Sequence, residues 1–196
     1  CLNWGCIPTK SLLKDSEVLY LVKHADQYGI DIDTYSVNFG STIKRSRNVS
    51  KRLSKGIEFL LKKNKIEYIS GAATLKSSCE VEVLNEKGVK KVLSTTNIIL
   101  ATGARNRELS DLETDGKSII SSKEAMILEK IPKSMIIIGA GEIGIEFASF
   151  YHEYDTEVQV VEMLSNLLPT EDHEVSSILR KSFEDRGVQI HTSAKV

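Results

Sequence analysis

Two thiols five residues apart open the chain, in Cys1-Leu2-Asn3-Trp4-Gly5-Cys6-Ile7-Pro8-Thr9-Lys10. This spacing does not read as structural zinc, which takes four ligands, usually from two close pairs. The remaining cysteine, Cys79, stands alone, and His24, His152, His173 and His191 are scattered without ligand spacing. The chemistry left to the pair is thiol–disulfide exchange. On an unbroken helix, residues five apart point about 140° away from each other. The sulfurs can therefore bond only if the chain before Cys6 is non-helical, and Gly5 supplies that freedom. Cys6 then starts a helix, whose dipole favours a thiolate, and Lys10 one turn later adds positive charge. A stabilised thiolate in a constrained disulfide suits exchange; the alternative is two buried structural cysteines. Cys79 reads most simply as an inert thiol beside a strand.

The second chemical feature is Gly139-Ala140-Gly141-Glu142-Ile143-Gly144. Alone, a GxGxxG is weak. Here it follows the apolar run Met135-Ile136-Ile137-Ile138 and opens a helical pattern, the context in which it binds a dinucleotide. Gly139 permits the tight turn, Gly141 a close approach to pyrophosphate, and Gly144 close helix–strand packing, while the helix N-terminus offers free N–H groups to phosphate. Glu162 ends the next strand, where a carboxylate accepts hydrogen bonds from a ribose 2′-OH and repels a 2′-phosphate. No arginine lies between Glu162 and Leu168, so NAD is expected over NADP. The alternative is a glycine-rich turn that binds no nucleotide.

The elements that must position these groups follow from periodicity. Gly5 to about Gln27 predicts a helix, with Leu12, Leu13, Val18, Leu19, Leu21 and Val22 at near-helical spacing and Pro8 in the first turn. Val37 to Asn64 predicts a second, lined by Arg45, Arg47, Lys51, Arg52 and Lys55, which reads as a solvated face rather than a nucleic-acid patch. Ile66–Ile69 predicts a short strand. Glu80–Leu84 and Lys90–Ser94 predict a hairpin around Asn85-Glu86-Lys87-Gly88. Ile98–Ala101 is a continuous apolar run, read as a fully buried strand ending on Thr102-Gly103. After a polar connection, Met135–Ile138 predicts a buried strand, Ile145–Tyr154 a helix, Val158–Val161 a strand, His173–Arg186 a helix and Val188–Ile190 a strand. That β-α-β-α-β order is the mark of a parallel α/β domain.

Composition agrees with a globular protein: 196 residues, 41% hydrophobic and 27% charged. With 26 basic and 27 acidic residues the net charge is −1, which gives no broad attraction to nucleic acid or acidic lipid. No apolar run spans a bilayer and no signal pattern opens the chain, so a soluble protein is expected. A start at Cys1 rather than Met, inside a motif, leads to the expectation of an internal piece of a longer chain, with processing that exposes the cysteine as the alternative.

The stretch CLNWGCIPTK resembles the redox-disulfide motif of the class I pyridine nucleotide–disulfide oxidoreductases. Within that class it is most similar to the branch acting on dihydrolipoamide; branches acting on glutathione or mercuric ion tend to have valine in place of Leu2 and Ile7. IILATGA (Ile98–Ala104), GAGEIGIEF (Gly139–Phe147) and VVEMLSNLLPTED (Val160–Asp172) are similar to further segments of the family, so the resemblance covers almost the whole chain. It implies an α/β, FAD/NAD(P)-binding Rossmann-like fold with two partial nucleotide-binding domains, residues 1–108 for FAD with the redox disulfide and residues 109–196 for NAD, and a β-hairpin or meander insertion. It implies Cys6 as the sulfur beside the flavin and Cys1 as the interchange thiol that meets the substrate, joined as a disulfide. Lys10 would lie near the flavin N5, paired with Glu146. Ala73, Ala101, Thr102, Gly103 and Ala104 would touch FAD. Gly139, Ala140, Gly141, Glu142, Ile143, Gly144, Glu162 and Val196 would touch NAD.

Two departures stand out. Asn106 lies near where the family usually has proline, and the family's first GxGxxG and its catalytic His-Glu pair match nothing in these residues. They are expected before Cys1 and after Val196, so this piece alone is expected to be inactive. For the intact protein the resemblance implies a homodimer in the cytoplasm, or in the mitochondrial matrix of a eukaryote, serving the lipoyl domains of 2-oxoacid dehydrogenase complexes. A related flavin disulfide reductase, a non-catalytic nucleotide-binding piece and a substrate-free redox sensor are the rival readings.

Overall fold

The computed structural model describes residues 1–110 and 112–196. The chain divides by contact into two compact units, Cys1–Ser54 with Leu109–Val196, and Lys55–Glu108. This division separates the chain differently from the nucleotide-domain boundary expected at 108/109, because residues 1–54 group with the later half.

In the first unit, α1 (Cys6–Lys23) is followed by a short 3₁₀ turn (Ala25–Tyr28) and by the start of α2 (Phe39–Lys63). α2 sits within two residues of its predicted bounds, whereas α1 ends four residues before the predicted Gln27, where the chain passes into the 3₁₀ turn. A one-turn helix, α3 (Ser122–Ala125), was not foreseen; Ser121 and Glu124 form a reciprocal cap that stabilises so short a segment. The strands β4 (Ser134–Ile138), β5 (Glu157–Val161) and β6 (Gln189–His191) then alternate with α4 (Glu142–Glu153) and α5 (His173–Asp185). They form a parallel sheet in the order β4-β5-β6, with Ile137 opposite Val160. Right-handed crossovers between sequential parallel neighbours place both helices on one face. The core lies there, around Ala140, Phe147, Phe150, Tyr151, Val158, Val160, Leu167 and Phe183. α1 packs on α4, adding Leu12 and Leu19 to that core.

The expectation that Met135–Ile138 is a buried strand holds for its position as a strand and is corrected for its burial. Met135 and Ile137 pack inward, whereas Ile136 is 65% exposed. Two helices on one face cover only alternate residues of a strand.

The second unit holds an antiparallel meander, β1 (Ala72–Leu75), β2 (Glu80–Leu84) and β3 (Lys90–Ser94). The β2–β3 hairpin has its predicted bounds, with Glu80 opposite Ser94. Asn85 closes the turn by accepting from the backbone of Lys87 and Val89 through its side chain at 3.0 and 2.9 Å. Two strand expectations are corrected. Ile66–Ile69 is not a strand; the pairing falls instead on Ala72–Leu75. Ile98–Ala101 is not a strand either, and Ile99 is 91% exposed. An apolar run becomes a strand only where a neighbour pairs with its backbone, and neither run has one among the described residues. No helix is long and apolar enough to cross a membrane among the described residues.

Candidate functional site: a disulfide loop and a dinucleotide loop

Cys1 and Cys6 form a disulfide, with Cα atoms 4.6 Å apart. Gly5 is the non-helical residue before α1, at φ −159° and ψ −125°. The loop closes on the helix through Ile7 N–H, which donates to the Cys1 carbonyl at 3.1 Å, while the Thr9 hydroxyl donates to the Gly5 carbonyl at 2.8 Å. Both cysteines are exposed, which is the opposite of the buried structural pair weighed as the alternative. Cys79 is a free, exposed thiol beside β2.

Lys10, one turn after Cys6 on α1, donates to Glu146 on α4. The lysine side chain is 63% exposed and the carboxylate 24%. A pair this open adds little stability. It ties the helix that begins at Cys6 to the helix that begins at the glycine loop.

The basic face of α2 is not the plain solvated surface that its composition predicted. Arg45 donates to the Ser11 hydroxyl at 2.9 Å and to Asp15 at 2.8 Å. Burial raises the Asp15 pKa above the ordinary carboxylate value, although Arg45 opposes the rise. Arg47 donates to the Asn3 carbonyl at 2.6 Å and lies over the Trp4 ring, 4.2 Å from its centre. Ser46 and Ser50 are buried, and the Ser46 hydroxyl donates to the Pro8 carbonyl at 3.2 Å. The signal for this contact was present as two small residues one turn apart on α2, which allow close approach of α1.

The dinucleotide loop connects β4 to α4. Gly139 adopts φ +100°, which side chains disfavour, and its N–H donates to the Val161 carbonyl at 2.8 Å. A Cβ at Gly144 would collide with the Gly139 carbonyl oxygen and approach Ile137 Cγ2 to 3.2 Å. Helix and strand can meet this closely only with glycine there. The N-cap of α4 is Gly141, which offers no side-chain acceptor, so the first N–H groups of the helix are free for an anion. Glu162 is 8% exposed. One of its oxygens accepts from Ala140 N–H at 2.7 Å and the other from Leu164 N–H at 2.8 Å. A carboxylate has about four acceptor positions, so capacity remains for a ribose diol. Ala194 N–H donates to the Glu162 carbonyl at 3.0 Å, which places the Val196 segment beside the end of β5; Val196 itself is exposed. Glu142 and Ile143 are exposed on the first turn of α4. These features fit a dinucleotide pyrophosphate and ribose.

The second unit carries the remaining expected positions. Ala73 lies on β1 opposite Val83, and Ala101, Thr102, Gly103 and Ala104 occupy an exposed segment outside regular structure. These residues offer backbone and small side chains to a ligand but no phosphate cradle.

A βαβαβ unit with a glycine-rich anion loop, sharing a helix contact with an exposed disulfide, defines the class of proteins that couple a nucleotide to thiol exchange. The family model "Pyridine nucleotide-disulphide oxidoreductase" matches residues 1–196, and the chain belongs to that family. Membership implies binding of FAD and NAD(P). Among curated relatives, the dihydrolipoyl dehydrogenase of Chlorobaculum tepidum is 44% identical over 196 residues, covering 100% of this chain and 42% of that protein. The enzyme of the same name from Chlorobaculum parvum is 46% identical with the same coverage. The chain thus spans less than half the length of these relatives. Among solved structures, LpdA from Mycobacterium tuberculosis superposes with a TM-score of 0.90 at 24% identity, over 99% of this chain and 43% of its own; that match speaks to fold alone. The HOCl-induced flavoprotein disulfide reductase RclA of Escherichia coli superposes at 0.79 with 26% identity, over 100% of this chain and 41% of its own.

Proposed function

We propose that the whole protein containing this chain is an NAD-dependent dihydrolipoamide dehydrogenase. The observation that carries the reading is the exposed Cys1–Cys6 disulfide at the start of a helix whose Lys10 is paired with Glu146. In the proposed reaction a dihydrolipoamide thiolate attacks Cys1 Sγ. The Cys1–Cys6 bond breaks, a mixed disulfide forms on Cys1, and Cys6 leaves as a thiolate at the positive end of α1. The second substrate thiol then displaces Cys1, releasing lipoamide and leaving two reduced cysteines. When bound, the flavin supplies the two-electron relay between this dithiol and NAD⁺.

Cys6, Lys10 and Glu146 are assigned to the flavin side of the disulfide and Cys1 to the substrate side. Ala73, Ala101, Thr102, Gly103 and Ala104 are assigned to FAD contact. The segment Gly139–Gly144, with Glu162 and Val196, is assigned to NAD. We also assign residues 1–108 to the FAD domain and 109–196 to the NAD domain. Glu162 supports NAD over NADP, since a buried carboxylate repels a 2′-phosphate. The partners proposed are a second copy of the protein and the lipoyl domains of 2-oxoacid dehydrogenase complexes, in the cytoplasm or the mitochondrial matrix.

The test is dihydrolipoamide-dependent NAD⁺ reduction by the full-length protein, alongside Cys1→Ser and Cys6→Ser. Turnover should be abolished in both variants. Wild-type rates from Cys6→Ser would refute the assignment. A protein that turns over glutathione or mercuric ion but not lipoamide would belong to the rival branch.

A further inference from the structure

We propose that Arg47 on α2 is a positioning residue for thiol exchange, holding the Asn3–Trp4 arc of the disulfide loop in place while the Cys1–Cys6 bond opens and closes. The inference rests on the reading of Cys1 and Cys6 as the exchanging pair. Four residues, Leu2 to Gly5, link the two cysteines. The ends of this loop are fixed by α1, through Ile7 N–H to the Cys1 carbonyl at 3.1 Å and through Thr9 N–H to the Gly5 carbonyl at 3.2 Å. Its middle reaches α2 instead. Arg47 Nη2 donates to the Asn3 carbonyl at 2.6 Å, its guanidinium carbon lies 4.2 Å from the centre of the Trp4 ring, and Ser54 Oγ donates to Asn3 Oδ1 at 3.0 Å. Lys123 Nζ lies 5.0 Å from the same ring centre.

Asn3 is exposed and Trp4 is 45% exposed, so burial of apolar surface does not hold this arc. The charge-assisted hydrogen bond and the cation–π contact do. Arg47 also keeps Nη1 buried without a hydrogen-bond partner, a cost that a freely solvated arginine would escape.

Reduction by a substrate dithiol breaks the Cys1–Cys6 bond, forms a disulfide in the substrate and leaves two protein thiols. The loop is then closed only by non-covalent contacts. How readily the bond re-forms depends on the effective concentration of one thiol at the other. Arg47 contacts a backbone carbonyl and a ring rather than a sulfur, so its contacts do not need the disulfide; they are stronger when the disulfide holds Asn3 and Trp4 in place, and contact and disulfide therefore stabilise each other. Loosening them lowers that effective concentration and moves the equilibrium toward the dithiol.

The experiment equilibrates the full-length protein with mixtures of a small reference dithiol and its disulfide, then counts alkylated Cys1 and Cys6 by mass spectrometry. Arg47→Met should shift the equilibrium toward the dithiol about tenfold, which is about 30 mV for a two-electron couple. Trp4→Leu should shift it in the same direction by less. Arg47→Lys should recover part of the loss, because it keeps a cation near the ring without the planar fork. An unchanged equilibrium in both Arg47→Met and Trp4→Leu, or a shift toward the disulfide, overturns the proposal. If Arg47→Met fails to fold, Trp4→Leu at an exposed site decides by the same criterion. A wild-type disulfide that is not reduced by NADH would instead remove the underlying reading, before any variant is compared.

Discussion

Glu162→Gln is the most informative single change in the nucleotide loop. The carboxylate accepts from Ala140 N–H at 2.7 Å and Leu164 N–H at 2.8 Å, at a site that is 8% exposed. Glutamine keeps one acceptor oxygen and replaces the other with an NH₂ group facing a backbone N–H. One charge-assisted bond, worth about 1.5–3 kcal/mol, is lost, and a buried N–H is left facing a donor. Repacking offsets part of this, so a loss of about 2–3 kcal/mol of folding stability follows. The acceptor capacity left for a ribose diol falls as well, and a weakening of NADH binding by about tenfold or more follows at ~1.4 kcal/mol per decade. The assay is denaturant unfolding of the full-length protein together with NADH and NADPH titrations by nucleotide fluorescence. NADPH binding should weaken less than NADH binding, because the repelling charge is gone. A variant within 0.5 kcal/mol of wild type (roughly the effect of an ordinary surface change), with NADH affinity unchanged, would refute the reasoning.

Other consequences follow from the same geometry. Gly144→Ala should abolish measurable NADH binding or lower stability by about 1–3 kcal/mol, since the new methyl overlaps the Gly139 carbonyl; NADH titration and melting of the full-length variant check it. Tyr151→Phe removes a donor that bonds the Ala125 carbonyl at 2.5 Å in the core, and should cost about 1–2 kcal/mol in denaturant unfolding. Burial and the charge of Arg186 hold the half-buried His152 below its ordinary pKa of 6.5. The unfolded chain therefore takes up a proton first, so stability should fall as pH drops below about 6.5 and level off below the folded-state pKa. His152→Gln should flatten that part of a melting-temperature profile, and an unchanged slope would argue against it. Ser46→Leu should overpack the α1–α2 contact by about 1–3 kcal/mol, because Ser46 is buried beneath Pro8.

Local signals carried most of the fold. The β2–β3 hairpin was legible because alternation and an Asn-to-Gly turn act over a few residues. The β4–α4–β5–α5–β6 order was legible because glycine and caps punctuate an apolar rhythm. What escaped depends on distant partners. Ile98–Ala101 has the composition of a buried strand, but composition cannot supply the neighbouring backbone that would make it one. Ile66–Ile69 reads as a strand because isoleucine and tyrosine favour strands, yet the pairing with β2 falls on Ala72–Leu75, whose two alanines give no such signal. The Lys10–Glu146 contact was anticipated through family resemblance, not through spacing. Arg45 and Arg47 were misread as solvated because a helical run of cations does not reveal which of them face α1 and the disulfide loop.

The central claim is that electrons from a nicotinamide cofactor reach Cys1 and Cys6. The direct measurement is anaerobic incubation of the full-length protein with NADH alone, followed by alkylation and mass spectrometry. One NADH and one proton should convert the disulfide to two thiols, so Cys1 and Cys6 become alkylated only after NADH. Cys79, free and exposed, is labelled with or without it and serves as the internal control. Labelling confined to Cys79 in the presence of NADH would contradict the account.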